Sequence, residues 1–359
     1  MLEKDDPSPF LDPAAVEVWD TWFRWREQGQ LRDISVEATW ERVARALAQA
    51  ETAAFPNWLA RLIDVQARWQ VVFDERILAG AGTRNFPWPR DPLAVLNAAS
   101  FVRAPFAADS RFDFDSFHAA AELAVRGLDN ALVLHQSCYH HAFDDLRVGM
   151  IGIADTLAMM GRRHDSAPGH ELAGQIAQAL ARACLAANSC LARDRGALPG
   201  AALAAVELAR QRGMPTALVE SAQRNGVRHR RVTAITSQPR LARLANDVTD
   251  GLDPLDCADS VRSTLSSSSG RTKRSGGYAS LMAKRSGALA GAAAAFIESE
   301  RNSSIAAQIG LRGAVQAWID APIDYAFRVA QAPDAQAAEQ LQQLAAANGL
   351  GKVIFVVEA

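Results

Sequence analysis

Cysteine is scarce in this chain. Its 359 residues hold four, Cys138, Cys184, Cys190 and Cys257, with no CxxC pair and none before Cys138. That usage excludes a disulfide-stapled secreted scaffold and a paired-thiol redox motif. Net charge is small as well, −2, so the chain has no general attraction for nucleic acid or an anionic membrane surface. No apolar run reaches the ~18 residues that a membrane span needs. The start, MLEKDDPSPF, is acidic and contains proline, without the basic and apolar regions of a secretory leader. The resulting expectations are a cytoplasmic location, no membrane partner, and nucleic acid ranked last among ligands.

What is present is a globular balance, 49% hydrophobic and 22% charged residues, enough to bury a core in one large domain or two ordinary ones. Residues 14–83 read as helical. Val16, Trp19 and Phe23 recur at spacings of three and four. Ser35 precedes a stripe of Val36, Trp40, Val43 and Leu47, with Glu37 in the first turn, the pattern of a capped helix. A third helix is expected after Pro56. Six tryptophans (19, 22, 25, 40, 58 and 69) sit at helical spacing and are expected in the core. RNFPWPRDP, residues 84–92, has three prolines and no period, so it reads as a linker.

Beyond the linker, Asp115 is the expected N-cap of a helix from Ser116 to about Leu134, with Phe117, Ala121, Ala124, Leu128 and Leu132 inward. His135, Cys138, His140, His141 and Asp144 then crowd one link, a candidate zinc cluster without the usual CxxC or HxxxH frame. A long Ala-rich helix is expected over Gly169–Arg195, carrying Cys184 and Cys190 as buried, inert thiols. Val232–Ile235 reads as a buried strand. Residues 260–291, with SVRSTLSSSSGRTKRSGG, read as a flexible basic Ser/Gly-rich loop. The apolar run Val353–Val357 reads as a closing strand buried on both faces.

Two phrases, LAVRGLDNAL (123–132) and RVGMIGIADTLAMMG (147–161), resemble the core of the large, catalytic chain of ribonucleotide reductases, adenosylcobalamin-dependent type. RVARALAQAE, RILAGAGT and the C-terminal LRGAVQAWIDAPIDYAFRV resemble the same family, in the same order along the chain. The resemblance implies an α/β fold with a helical N-terminal region, a reduced, helix-rich remnant of the family's ten-stranded α/β barrel. It implies a division into residues 1–83 (helical), 84–93 (a linker replacing the missing half-barrel) and 94–359 (a partial barrel).

The same resemblance marks departures. The family's radical-cysteine loop has no counterpart, and where its following phrase opens with cysteine and asparagine this chain has Val95-Leu96-Asn97. The substrate-phosphate loop corresponds to Ser237, Gln238, Pro239 and Arg240, which lack the family's glycine and threonines; Arg240, with Arg228, Arg230 and Arg231 upstream, keeps an attraction for anions, although a solvated basic loop is the stronger reading. Asp253 stands for a glutamate in DGLDP, and Asp324 and Tyr325 replace a Ser-Lys pair. These departures imply no catalytic residues and no cofactor, although adenosylcobalamin is the family's. They point to an inactive, nucleotide-related binding or regulatory protein, with a nucleotide as candidate ligand. An incomplete barrel leaves a sheet edge to be covered by helices or paired in a homo-oligomer or with a reductase-like chain. The alternatives are an enzyme of different chemistry on the same remnant, or a half-reductase completed by a second chain supplying the cysteine loop.

Overall fold

The computed structural model describes residues 9–139, 145–255, 277–286, 290–300 and 303–357. Its centre is a four-stranded sheet in the order Val71–Phe73, Leu93–Asn97, Asp145–Ile151, Arg231–Thr233. The first pair is antiparallel, Val72 facing Val95, and the other two are parallel. All five residues of Leu93–Asn97 are buried, as an apolar strand covered on both faces must be. Gly149 is required where it stands, because a Cβ there would lie 2.7 Å from the Ala234 carbonyl oxygen.

Parallel neighbours need long crossovers, and helices supply them here. Phe114–Tyr139 joins the second strand to the third, and Ala167–Arg195 joins the third to the fourth. The two helices pack on each other and on the sheet. Phe117, Ala121, Ala124, Leu128 and Leu132 all point into the core. The first of these helices is longer than the sequence reading at both ends. Its cap is Asp113, not Asp115: the Asp113 carboxylate accepts from the Ser116 amide at 3.0 Å and the Ser116 hydroxyl at 2.8 Å. At the far end, His135 and Cys138 belong to the helix rather than to a link. Removing the cap, Asp113→Ala, will cost about 1–2 kcal/mol, read as a lower urea midpoint with an unchanged slope.

The N-terminal part is less uniformly helical than its period suggests. After Pro13–Val18 comes a single π-helical turn, Trp19–Phe23, then a tight ladder of Arg26–Glu27 with Gln30–Leu31. The Val36–Ala48 helix is capped by the Ser35 hydroxyl, and Phe55–Ala67 follows. Val71–Phe73 is a strand, so the sheet ladder joins the chain across residues 84–92. Trp19, Trp40 and Trp69 are core residues, whereas Trp22 is 46% exposed, against the expectation of packing for all six.

Both edges of the sheet are closed by the chain itself. Val71–Phe73 is buried throughout. Beside Arg231–Thr233, the Asp320 carboxylate accepts from the Val232 and Thr233 amides at 3.0 and 3.1 Å, and the Ala321 amide donates to the Thr233 carbonyl. The open edge lies elsewhere. Phe327–Val329 and Phe355–Val357 form a separate parallel pair. Val356 and Val357 are 51% and 50% exposed, so the last strand is not buried on both faces as its composition suggested. Among the described residues no closed barrel forms, and the fold is helix-rich with mixed sheets. Within the stretch read as a flexible loop, Tyr278–Arg285 is a helix with Ala279 and Ala283 buried; residues 256–276 lie outside the described part.

Candidate functional site

Beyond Thr233 the chain leaves the sheet and turns at Ser237–Gln238 into the short Pro239–Leu244 helix. Proline suits the first helical position, where no amide partner exists. The donors of this turn converge on one carboxylate. Ser237 Oγ donates to Asp250 Oδ2 at 2.5 Å, and the Gln238 amide donates to Asp250 Oδ1 at 2.6 Å. Arg328 Nη2 stands 3.8 Å from the same Oδ2. Arg240 is engaged as well: its guanidinium pairs with Glu75 and lies 4.0 Å over the Trp22 ring.

Behind the turn sits Asp253. Arg312 Nη2 donates to its Oδ1 at 3.1 Å, and Arg328 Nε lies 3.7 Å from its Oδ2. Arg312 is almost fully buried, with Tyr325 and Phe327 rings 3.9 and 3.7 Å from its guanidinium and the Tyr325 carbonyl accepting at 2.7 Å. The Tyr325 hydroxyl accepts from the Leu252 amide at 2.8 Å. Gly251 is needed beneath it, with φ +54° and a Cβ position 2.8 Å from that hydroxyl. Asp324 is exposed and takes no part in this cluster.

Three arginines (240, 312, 328) thus face three carboxylates (Glu75, Asp250, Asp253), and the site is neutral. Burial sets its electrostatics. It raises the Asp250 pKa against the pull of Ser237 and Gln238. It lifts Asp253 to about 6 against Arg312, and it drives the Tyr325 phenol far up.

Two buried side chains hold this region to the rest. Asp155 accepts from the Thr249 and Ala279 amides at 2.7 and 2.9 Å, and burial raises its pKa. The His164 ring lies between Ser303 Oγ at 3.0 Å and the Leu252 carbonyl at 3.3 Å. Burial depresses its pKa to about 4, so the ring is neutral at pH 7.

The candidate zinc cluster does not assemble from described residues. His135 is buried in the helix with Nδ1 2.7 Å from the Trp88 carbonyl oxygen. Cys138 falls in the last turn of that helix, and His140, His141 and Asp144 lie outside the described residues. Among the described residues no group of three His, Cys, Asp or Glu is placed to hold a metal ion. Of the thiols, Cys184 is buried, with its pKa raised by burial. Cys190, expected to be buried, is exposed, because the Ala167–Arg195 helix turns that position outward.

A second charged network, not anticipated from the sequence, lies where the chain enters the fourth strand. Asp129 is fully buried and pairs with Arg195, with Arg228 Nε at 2.5 Å and with His229 Nε2 at 2.9 Å. Glu51 joins it through Arg126 at 2.7 Å and Arg195 at 2.9 Å. The Asn188 carboxamide oxygen accepts from the Arg228 and His229 amides. The only signal was the LDN phrase and the RHRR run, two charged clusters a hundred residues apart in the chain.

The family model for the ribonucleotide reductase barrel domain matches residues 92–274, half of the chain. The chain belongs to the ribonucleotide reductase barrel family. Over 117 residues it is 30% identical to the vitamin B12-dependent ribonucleoside-diphosphate reductase of two strains of Mycobacterium tuberculosis, an overlap of 31% of this chain and 17% of the relative. The chain therefore spans about a sixth of the length of the curated relatives it matches. The matched barrel segment contains the three parallel strands, both crossover helices and the Ser237–Arg240 turn. No helix among the described residues is long and apolar enough to cross a membrane.

Proposed function

We propose that this chain is a reductase-barrel protein without radical catalysis, a nucleotide-related binding or regulatory partner whose sheet is a reduced remnant of the family barrel. The observation that carries the reading is Leu96. It is fully buried in the second strand, in the phrase that the resemblance opens with a cysteine. Radical reduction needs a sulfur beside the ribose and thiols to supply electrons. The residues ending the strands on that side, Asn97, Ile151 with Gly152, and Thr233, carry none. That donor set does not fit adenosylcobalamin chemistry. Residues 1–83, 84–93 and 94–359 are in this reading the helical region, the shortened connection and the partial barrel.

A second reading, a half-reductase completed by another chain, draws on the short overlap with the relatives and on the open Phe355–Val357 edge with its exposed valines. An uncovered edge strand is a template for pairing, and self-association there would make the protein a homo-oligomer. The test is a reductase assay on the purified chain with ribonucleoside diphosphates, adenosylcobalamin and dithiothreitol, beside light scattering. No deoxyribonucleotide above background is expected from the chain alone. Turnover by the chain alone would sink the non-catalytic reading, and a strict monomer would remove the edge-pairing argument.

A further inference from the structure

We infer that Ser303 and His164 form a nucleophile–base pair, a site of acyl transfer from activated carboxylic esters that stands apart from the Ser237–Arg240 turn. It holds whether or not the chain reduces nucleotides. The ring tautomer fixes the roles. The Leu252 carbonyl can only accept, so His164 Nε2, 3.3 Å away, carries the proton of the neutral ring. Nδ1 is then the lone-pair nitrogen, and the Ser303 hydroxyl donates to it at 3.0 Å. A hydroxyl on a ring nitrogen, with the ring oriented by a third group, is the arrangement by which proteins activate serine. The ring is held in place. His164 is 3% exposed, and the buried Glu300 carboxylate accepts from its backbone amide at 2.7 Å. Ser303 itself is only partly buried, which leaves the nucleophile open to a small reagent. It also stands one residue before Ser304, the N-cap of the Ile305–Gln316 helix, where the helix dipole favours developing negative charge.

In the step this geometry permits, Ser303 Oγ bonds to the ester carbonyl carbon while its proton passes to His164 Nδ1. The adduct collapses, the bond to the leaving oxygen breaks, and that oxygen takes the proton from Nδ1. Water then repeats the sequence on the acyl-serine, which releases the carboxylic acid and restores both residues. The positive charge carried by the ring in between faces the Leu252 carbonyl. Burial keeps the imidazole neutral down to about pH 4; Asp165 raises that pKa, while His170 and Arg312 lower it. Glu300, on the backbone side, is paired with Arg163. So weak a base belongs at the low end of the ~10²–10⁴-fold range of general-base assistance. That is why the substrate class is esters with good leaving groups.

The test treats the full chain with diisopropyl fluorophosphate, which leaves a phosphoryl group on the attacking oxygen and releases fluoride, and maps the labelled peptide by mass spectrometry. Expected are labelling of Ser303 at least about ten-fold faster than of other serines, and a fall of about ten-fold or more in His164→Gln. Hydrolysis of p-nitrophenyl acetate should drop in parallel in Ser303→Ala. Should His164→Gln not fold, the pH profile of the wild type carries the test. An unassisted hydroxyl gains about ten-fold in rate per pH unit as its alkoxide fraction grows. One served by a neutral imidazole keeps a nearly constant rate from pH 8 down to pH 5. The inference is overturned if Ser303 labels no faster than other serines, or if folded His164→Gln labels as fast as the wild type. It is also overturned if the labelling rate tracks hydroxide across that range.

Discussion

Asp129→Ala will destabilise the protein by on the order of 3–5 kcal/mol, the cost of leaving buried charges without their partner. Asp129 is fully buried and holds Arg195, Arg228 and His229 together. Its removal takes the carboxylate from Arg228 and from a buried imidazole at once and leaves Arg195 with Glu51 alone, at a point where two long helices meet the entry to the fourth strand. Burial alone would raise the Asp129 pKa, but His229 and Arg228 outweigh it and hold the pKa well below the usual carboxylate range. A depressed carboxylate contributes stability that is present above its unfolded pKa of about 3.9 and is lost as pH falls through the folded value. The network therefore survives at pH 4 and gives way only in stronger acid. Urea unfolding of wild type and variant from pH 7 down to pH 4 should show a nearly constant difference. A difference below about 1 kcal/mol would mean that the arginines find water or other partners.

Arg312→Ala should cost a similar amount, again on the order of 3–5 kcal/mol, but with a pH dependence of opposite sign. Arg312 pairs with Asp253 and lies between the Tyr325 and Phe327 rings. Asp253 already has a pKa raised to about 6, chiefly by burial. A carboxylate raised above its unfolded value favours the folded state when protonated, so its contribution weakens as pH rises from about 4 toward 6. Without Arg312 the Asp253 pKa rises further, because the attraction that partly offset burial is gone. The variant should therefore be hurt more at pH 7.5 than at pH 5, where protonated Asp253 needs no counter-charge. Adding Asp253→Asn to Arg312→Ala should recover much of the loss at pH 7.5 and little at pH 5. Equal losses at both pH values would show that Arg312 acts by packing alone. His164, depressed to about 4 by burial, works the other way, with stability falling as pH drops below about 6.5. The comparison is thus between variants at each pH, not along one curve.

The parts of the fold legible in the sequence are those set by local chemistry. Ser35 and its stripe Trp40, Val43, Leu47 specify a helix because cap and period lie within one segment. The inward residues of Phe114–Tyr139 were readable for the same reason. Its ends were not: HQSCYHH looks like a polar link, yet its first residue, His135, is buried with its ring against the carbonyl of Trp88, forty-seven residues earlier. Val353–Val357 is apolar enough for a central strand, and only the missing neighbour makes it an edge. The candidate site was legible in position and not in state. Ser237–Arg240 could be singled out from its resemblance, but Asp250, Arg312 and Arg328 are recognised only once the fold brings them together. Arg240 illustrates the difference: a basic side chain in a loop reads as anion-seeking, and Glu75, from a helix 165 residues away, already holds it.

The strand order of the central sheet also has a kinetic consequence. The antiparallel ladder joins residues roughly 20 apart in the chain, whereas the two parallel ladders join residues roughly 55 and 85 apart. Loop-closure entropy must be overcome before each long-range ladder yields its contacts. Assembly should therefore begin at Val71–Phe73 with Leu93–Asn97, and Arg231–Thr233 should be the last strand to dock. Until Asp320 arrives to cap the Val232 and Thr233 amides, that strand presents bare hydrogen-bonding groups. The slowest and most aggregation-exposed moment in the life of this chain then falls at its fourth strand, and chaperone demand should concentrate there.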